Sequence, residues 1–257
     1  MKASTPESRP GVRALVLLAI LLACHGLQGQ GAAVAANPQA VLTSAAQAHS
    51  LSIKEASRHY PVHLHAVVTY FDRFTDTRQT ALFIHDATGS IYVAVPPGSV
   101  PPLQPGTTID LWGVTAMGNF APILEKPHIL VTGRSGLPAV APRVTLPELL
   151  TGGEDGQYVE VEGIIHAVDE NEHTATLHLA MRDGPISVTT IREPGANYEA
   201  LVDATVELRA NAAPLFNGNG QLIGGRLVLP GLSAVRVVKP APQNLFEQPA
   251  IAIDSLS

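Results

Sequence analysis

The feature that most restricts what this chain can fold into is a stretch that occurs twice. Residues 61–86 read PVHLHAVVTYFDRFTDTRQTALFIHD, and residues 158–183 read YVEVEGIIHAVDENEHTATLHLAMRD. Val62 falls with Val159, Leu64 with Val161, Ala66 with Gly163, Val67 with Ile164, Val68 with Ile165 and Asp72 with Asp169, each 97 positions apart (159 − 62). The same offset pairs Asp86 with Asp183, Ile91 with Val188, Ile109 with Val206 and Leu111 with Leu208. A spacing held without a gap over such a span marks a duplicated unit. The 257 residues therefore divide into two copies of one module.

Each copy reads as strands. Val62, Leu64 and Ala66 alternate with His63 and His65, the two-residue period of a half-buried strand. Ala66 and Gly163 are small residues at the point where a long barrel strand must bend. Thr80, Leu82 and Ile84, matched to Leu177, Leu179 and Met181, supply the inner side of a second strand. Asp86-Ala87-Thr88-Gly89 is a turn signal, and Ile91, Val93 and Val95 form a third strand. Ile109, Leu111 and Gly113 make a fourth, and residues 128–132 a fifth. In the second copy the strands fall at 158–168, 174–182, 186–191, 204–210 and 234–238, with a helical turn near 197–203. The segment FNGNGQLIGG, residues 216–225, reads as an insertion before the last strand.

Ser52-Ile53-Lys54-Glu55 and Thr145-Leu146-Pro147-Glu148 have capping-box spacing, so a short helix precedes each copy, the first running through Arg58. Three strands, a helix or loop, then two strands is the order of an OB-type barrel. The expected fold is all-β with minor α: two tandem OB-like five-stranded barrels, at 41–135 and 143–240, each preceded by a short helix.

The N-terminus reads as an export signal. Lys2, Arg9 and Arg13 precede the apolar run ALVLLAILLA, Ala14 to Ala23, which is short for a bilayer span and suits a signal peptide. Leu21-Leu22-Ala23-Cys24 resembles a lipobox, which would leave a lipidated Cys24 at the mature N-terminus. Ala33-Val34-Ala35 is a competing cleavage site, releasing a soluble chain or ending an uncleaved anchor. Residues 1–36 are thus signal or anchor plus tether, and the modules are expected outside the cytoplasm, in the periplasm. Cys24 is the only cysteine, so the folded part carries neither a disulfide nor a thiolate metal site. Residues 241–257, with Pro242 and Pro249, read as a connector.

Chemistry is sparse. Charged residues are 15% and the net charge is −6, which argues against the concentrated basic face of a nucleic-acid binder. No G-x-S-x-G elbow is present, so no catalytic residues and no cofactor are expected. His63, His65 and His85 share the polar side of one sheet and are weak metal candidates. The second copy places Glu160, Glu162 and Arg182 at the matching positions, which favours solvated side chains. Phe83 and Tyr92 face outward on the second and third strands with His85 and Asp86 beside them. OB barrels stack ligands on that face, so these four are the candidate ligand site. The competing reading packs the aromatics against the N-terminal helix or the second barrel, and makes Asp86 a turn former. The expected partner is a small molecule, a glycan or a protein, and not nucleic acid.

Three pieces of the chain, YPVHLHAVVTYFD with LFIHDATGSIYV, VEVEGIIHAV, and PAPQNLF, resemble the extracytoplasmic N-terminal region of bacterial sensor histidine kinases of the kind abundant in acidobacteria. The likeness runs from about Leu42 to Leu256. It implies a non-catalytic sensory input module of two-component signalling, followed in that family by a membrane helix and kinase domains. Phosphoacceptor-histidine and ATP-binding glycine motifs are lacking, so the resemblance implies no kinase activity here. A severed sensor input, or one working with a separate membrane sensor partner, is the expectation. The alternative is a free-standing periplasmic lipoprotein or adaptor.

Overall fold

The first strand of each copy carries an extra residue, and that residue shapes everything near the site. The structure, a computed structural model, describes residues 40–74, 80–216 and 221–242, all within the unit Gln39–Ser257. The export signal with Cys24 and most of the expected connector lie outside the described residues. The chain is mostly β, with a few short helices and two sheets of five and six strands.

Strands β1 (Pro61–Asp72), β2 (Thr80–Asp86), β3 (Gly89–Val95), β4 (Thr107–Ala116) and β5 (Ile123–Arg134) close into a barrel in the order β1-β2-β3-β5-β4. The β3–β5 contact is parallel, Val93 opposite Leu124, and the other neighbours are antiparallel. The alternating residues named above fill the interior: Val62, Leu64, Ala66 and Val68 meet Leu82, Ile84, Ile91, Val93, Ile109 and Leu111 in one buried cluster.

In the second copy, β6 (Tyr158–Glu170), β7 (Thr174–Met181), β8 (Gly184–Ile191), β9 (Thr205–Phe216) and β10 (Leu222–Leu229) pair as β6–β7, β7–β8, β8–β10, β10–β9 and β9–β6. This ring has the same order as the first, with β8–β10 again the parallel pair. Its core is Val159, Val161, Ile165, Leu177, Leu179, Val188, Val206, Leu208, Leu227 and Leu229. The strand expected at 234–238 is β11 (Val235–Lys239), which pairs with β9 as residues 129–131 of β5 pair with β4 but does not close the ring. It adds to the end of β9, Val235 opposite Leu208. The closing strand is β10, which starts inside the glycine-rich stretch expected to be an insertion.

The repeat is real but its register is not constant. Val67 faces His85 across β1–β2, while Ile164 faces Ala180 across β6–β7. The first strands are offset by 97 (164 − 67) and the second by 95 (180 − 85). The third strands keep 95, with Asp86–Gly89 and Met181–Gly184 closing the two hairpins. The fourth return to 97, Val62 facing Gly113 and Val159 facing Ala210. Ile91 thus corresponds to Ile186, His85 to Ala180 rather than Arg182, and Asp86 to Met181 rather than Asp183. The recurring aspartate is not a shared site.

Both first strands carry a bulge at the same place, between Val68 and Tyr70 and between Ile165 and Ala167. A bulge inserts one residue and reverses the alternation beyond it. So Val68 points inward, and past Thr69 it is Phe71 that packs on the core, opposite Leu82. Tyr70 and Asp72 turn outward with Phe83 and Ala81. The small residues Ala66 and Gly163 lie three positions earlier. At Gly163 a Cβ would stand 2.5 Å from the Ala180 carbonyl oxygen, so the strands can approach there only without one.

Helices α1 (Ala45–His49), α2 (Ile53–Ala56) and α3 (Leu146–Leu150) are short. The capping boxes at Ser52/Glu55 and Thr145/Glu148 form as their spacing predicts, and α2 ends two residues before Arg58. The counterpart of α3 is α1 rather than α2. Each follows a one-residue parallel bridge onto the first strand, Leu42 to Val62 and Arg143 to Glu160. Each then lays small or apolar residues on its core, Ala45 and Ala48 or Leu146 and Leu149. No helix of the described residues is long and apolar enough to cross a membrane.

Candidate functional site

The outward face of the first barrel is closed by the second. Tyr70 and Phe83 sit opposite each other on β1 and β2, and Phe83 opposite Tyr92 on β3. The rings meet edge to face, Tyr70–Phe83 at 6.2 Å and Phe83–Tyr92 at 5.1 Å between centroids. Tyr70 and Phe83 are buried with Val228 of β10, and Ala213 of β9 packs against them. The competing expectation for the aromatics, packing against the second barrel, is what the structure shows for Phe83.

The two units are also pinned beside this cluster. The Gln157 side chain donates from Nε2 to the Ser90 carbonyl at 3.0 Å and accepts from the Ser90 N–H at 3.2 Å. His49 Nε2 lies 2.9 Å from the carbonyl oxygen of Asp155. Gly156, in the left-handed region at φ +77°, turns its loop beside the backbone of Tyr92.

Packing across this junction leaves a cavity of about 410 Å³. Tyr70, Asp72, Ala81, Phe83 and Tyr92 form one wall, and Thr189, Ala213, Pro214, Arg226 and Val228 the other. Met117, Gly118, Asn119 and Ile123 of the β4–β5 connection and Asp155 of the loop before β6 complete it. Its lining mixes apolar surface with the polar side chains of Tyr70, Asp72, Asn119, Asp155, Thr189 and Arg226. The Tyr70 hydroxyl donates to Asp72 Oδ2 at 3.2 Å, and the Phe74 N–H donates to Asp72 Oδ1 at 2.6 Å. Burial, with the Asp72 carboxylate beside it, raises the Tyr70 phenol far above its ordinary range, so it stays a hydrogen-bond donor. Burial also raises the Asp155 carboxyl, partly offset by His49 and by the Ala121 N–H. Arg226 Nε is buried and has no hydrogen-bond partner among the described residues.

Of the four expected ligand residues, the structure brings Phe83 and Tyr92 to the cavity and leaves the other two outside it. His85 Nδ1 is 2.8 Å from Ser90 Oγ, and its ring lies 6.1 Å from that of Tyr158; burial lowers its pKa, against the pull of Asp86. The Asp86 carboxylate is engaged in the fold. Oδ1 accepts from the Thr88 N–H at 2.7 Å and its hydroxyl at 2.6 Å, and Oδ2 accepts from the Ala45 N–H at 2.7 Å, capping α1. The weak metal trio is not gathered either. His63 stacks on Trp112 at 4.6 Å and His65 Nδ1 lies 2.8 Å from Asp110 Oδ1. Among the described residues no group of three metal-ligating side chains converges. Sequence reasoning missed Arg226, inside an apparent insertion, and Asp155, in a loop without a motif. Asp72 was visible only through its pairing with Asp169.

No family model and no curated protein matches the chain. Solved structures similar to it include a murine DNA-binding protein bound to double-stranded DNA, 11% identical, covering 70% of this chain and 99% of that one with a TM-score of 0.33. A HINa domain in complex with double-stranded DNA is 11% identical and covers 72% and 97%, TM-score 0.34. An aspartyl-tRNA synthetase from Entamoeba histolytica is 10% identical and covers 39% of this chain and 22% of that one, TM-score 0.31. This chain thus spans about a fifth of the synthetase. One expectation is corrected here. The exclusion of nucleic acid drawn from charge does not stand, because chains with bound double-stranded DNA are among these neighbours.

Proposed function

We propose that this chain is a non-catalytic binding module made of two OB-like barrels, and that its ligand occupies the cavity at their junction. The observation that carries the proposal is the cavity's make-up. An aromatic wall from one barrel faces a wall from the other that includes the guanidinium-bearing Arg226, around about 410 Å³. Ring surfaces and polar groups that converge on one concave space are what hold and orient a small ligand. A ligand touching both barrels favours one arrangement of them, the requirement for a sensor to report occupancy. The role we assign is the extracytoplasmic input of a bacterial signalling protein, in keeping with the sequence resemblance to sensor kinase N-terminal regions and with the signal-like residues 1–36.

The test is a fragment screen by ligand-observed NMR on the full chain and on Ala81→Trp, which fills the cavity from β2. Hits that disappear in Ala81→Trp, with the melting temperature kept, support the proposal. Hits indifferent to Ala81→Trp overturn it, as does saturable binding of a DNA duplex in its place. Alkaline phosphatase fused after residue 60 should be active in intact bacteria. An inactive fusion sinks the extracytoplasmic assignment.

A further inference from the structure

The charges in the cavity restrict what can enter it, given that it is the binding site proposed above. Arg226 lines the cavity, and its guanidinium has donors and no acceptor to offer. An anionic acceptor that reaches the guanidinium forms a charge-assisted hydrogen bond. A ligand with only a positive charge leaves that guanidinium without a counter-ion. A ligand with only a negative charge meets Arg226 but brings a third carboxylate-like anion beside those of Asp72 and Asp155, which line the same space. Asp72 accepts from the Tyr70 hydroxyl and from the Phe74 amide. The apolar remainder of the lining, with Phe83 and Tyr92 edge to face at 5.1 Å, offers ring faces to an apolar group and to an ammonium.

We infer that the cavity takes a small zwitterion with an apolar side chain, of the amine–carboxylate class that free amino acids belong to. The carboxylate accepts from Arg226, the ammonium lies on the Asp155 side, and the side chain packs on Phe83 and Tyr92. Both charges are met, and neither carboxylate of the protein faces an unpaired anion.

Three probes with one ring separate the possibilities: L-phenylalanine, 3-phenylpropanoate, which lacks the amine, and phenethylamine, which lacks the carboxylate. They are titrated calorimetrically into the full chain, with the Arg226 Nε–H cross-peak followed by NMR. Phenylalanine should bind at least about tenfold more tightly than either partial analogue, the worth of one charge-assisted contact, and should shift the Arg226 peak. Arg226→Gln should erase its advantage over phenethylamine, and Asp155→Asn its advantage over phenylpropanoate. Equal affinity for the three probes, all lost in Ala81→Trp, overturns the zwitterion assignment and leaves the cavity as the site. Binding of none of them at millimolar concentration overturns the assignment as well, and the fragment screen then judges the cavity by itself.

Discussion

The same sheet face occurs twice in this molecule and has two characters. In the first barrel, the bulge after Val68 turns Tyr70 outward to stand beside Phe83 and Tyr92, and Tyr70 and Phe83 are buried. In the second, the equivalent bulge turns out Ala167, which stands opposite His178, which stands opposite Ser187. There the pattern is small and polar, and His178 Nε2 pairs with the Asp169 carboxylate at 2.7 Å on an exposed surface. Asp72 and Asp169 are the same position of the repeat, one against a buried phenol and one against a solvated imidazole. The backbone is shared, so it does not make the site. What makes it is that β9 and β10 of the second barrel cover the first barrel's face, while nothing among the described residues covers the second's in that way.

The largest effect should come from removing that difference at its centre. Phe83→Ala takes a buried ring out of the junction and should cost about 3–5 kcal/mol. His178→Ala, at the equivalent position, removes one exposed ion pair and should cost less than about 1 kcal/mol. Urea unfolding of both variants gives the comparison directly. Similar losses for the two would mean that the junction does not pack as described.

A smaller effect is expected inside the barrels, where the copies differ at one small residue. Gly163→Ala places a Cβ 2.5 Å from the Ala180 carbonyl oxygen and 2.9 Å from Leu179 Cγ. Backbone must move to admit it, at about 1–3 kcal/mol. Ala66, its counterpart, is buried with its Cβ accommodated, and Ala66→Gly should cost only about 0.5–1 kcal/mol. A Gly163→Ala variant as stable as the wild type would refute the close approach.

These two positions also mark how far the sequence could be read. The duplication, the alternation of Val62, Leu64 and Ala66, and both capping boxes depend on local spacing, and they were legible. The outward aromatics were legible as a face, but what covers them depends on where the second barrel docks, which no local pattern encodes. The two-residue slip in the β2–β3 hairpin preserves the in–out alternation, so an ungapped alignment still matched apolar residues while pairing Asp86 with the wrong aspartate. β10 was hidden because Gly224 and Gly225 lie at its start and read as a turn, although Leu227 and Leu229 supply the core. With β10 went Arg226, and with Arg226 the polar half of the cavity.

The smallest effect separates the two copies by pH. The loop before β6 puts Asp155 into the junction, where burial raises its carboxyl pKa against the opposing pull of His49 and the Ala121 N–H. Arg58, at the same place before β1, is exposed. A native carboxyl with a raised pKa binds its proton more tightly than the unfolded chain does, so ionising it weakens the fold. The stability it allows is complete below the unfolded value near 3.9 and is lost as pH rises through the raised native value. Asp155→Asn does not titrate and keeps an acceptor for the Ala121 amide, so it should melt higher than the wild type at pH 7. The difference in melting temperature should hold above the raised native pKa, shrink as pH falls through it and vanish below about pH 4. A difference that stays constant across that range would show that the carboxylate is solvated in the folded chain, and that the junction is more open at the Asp155 end than at Phe83.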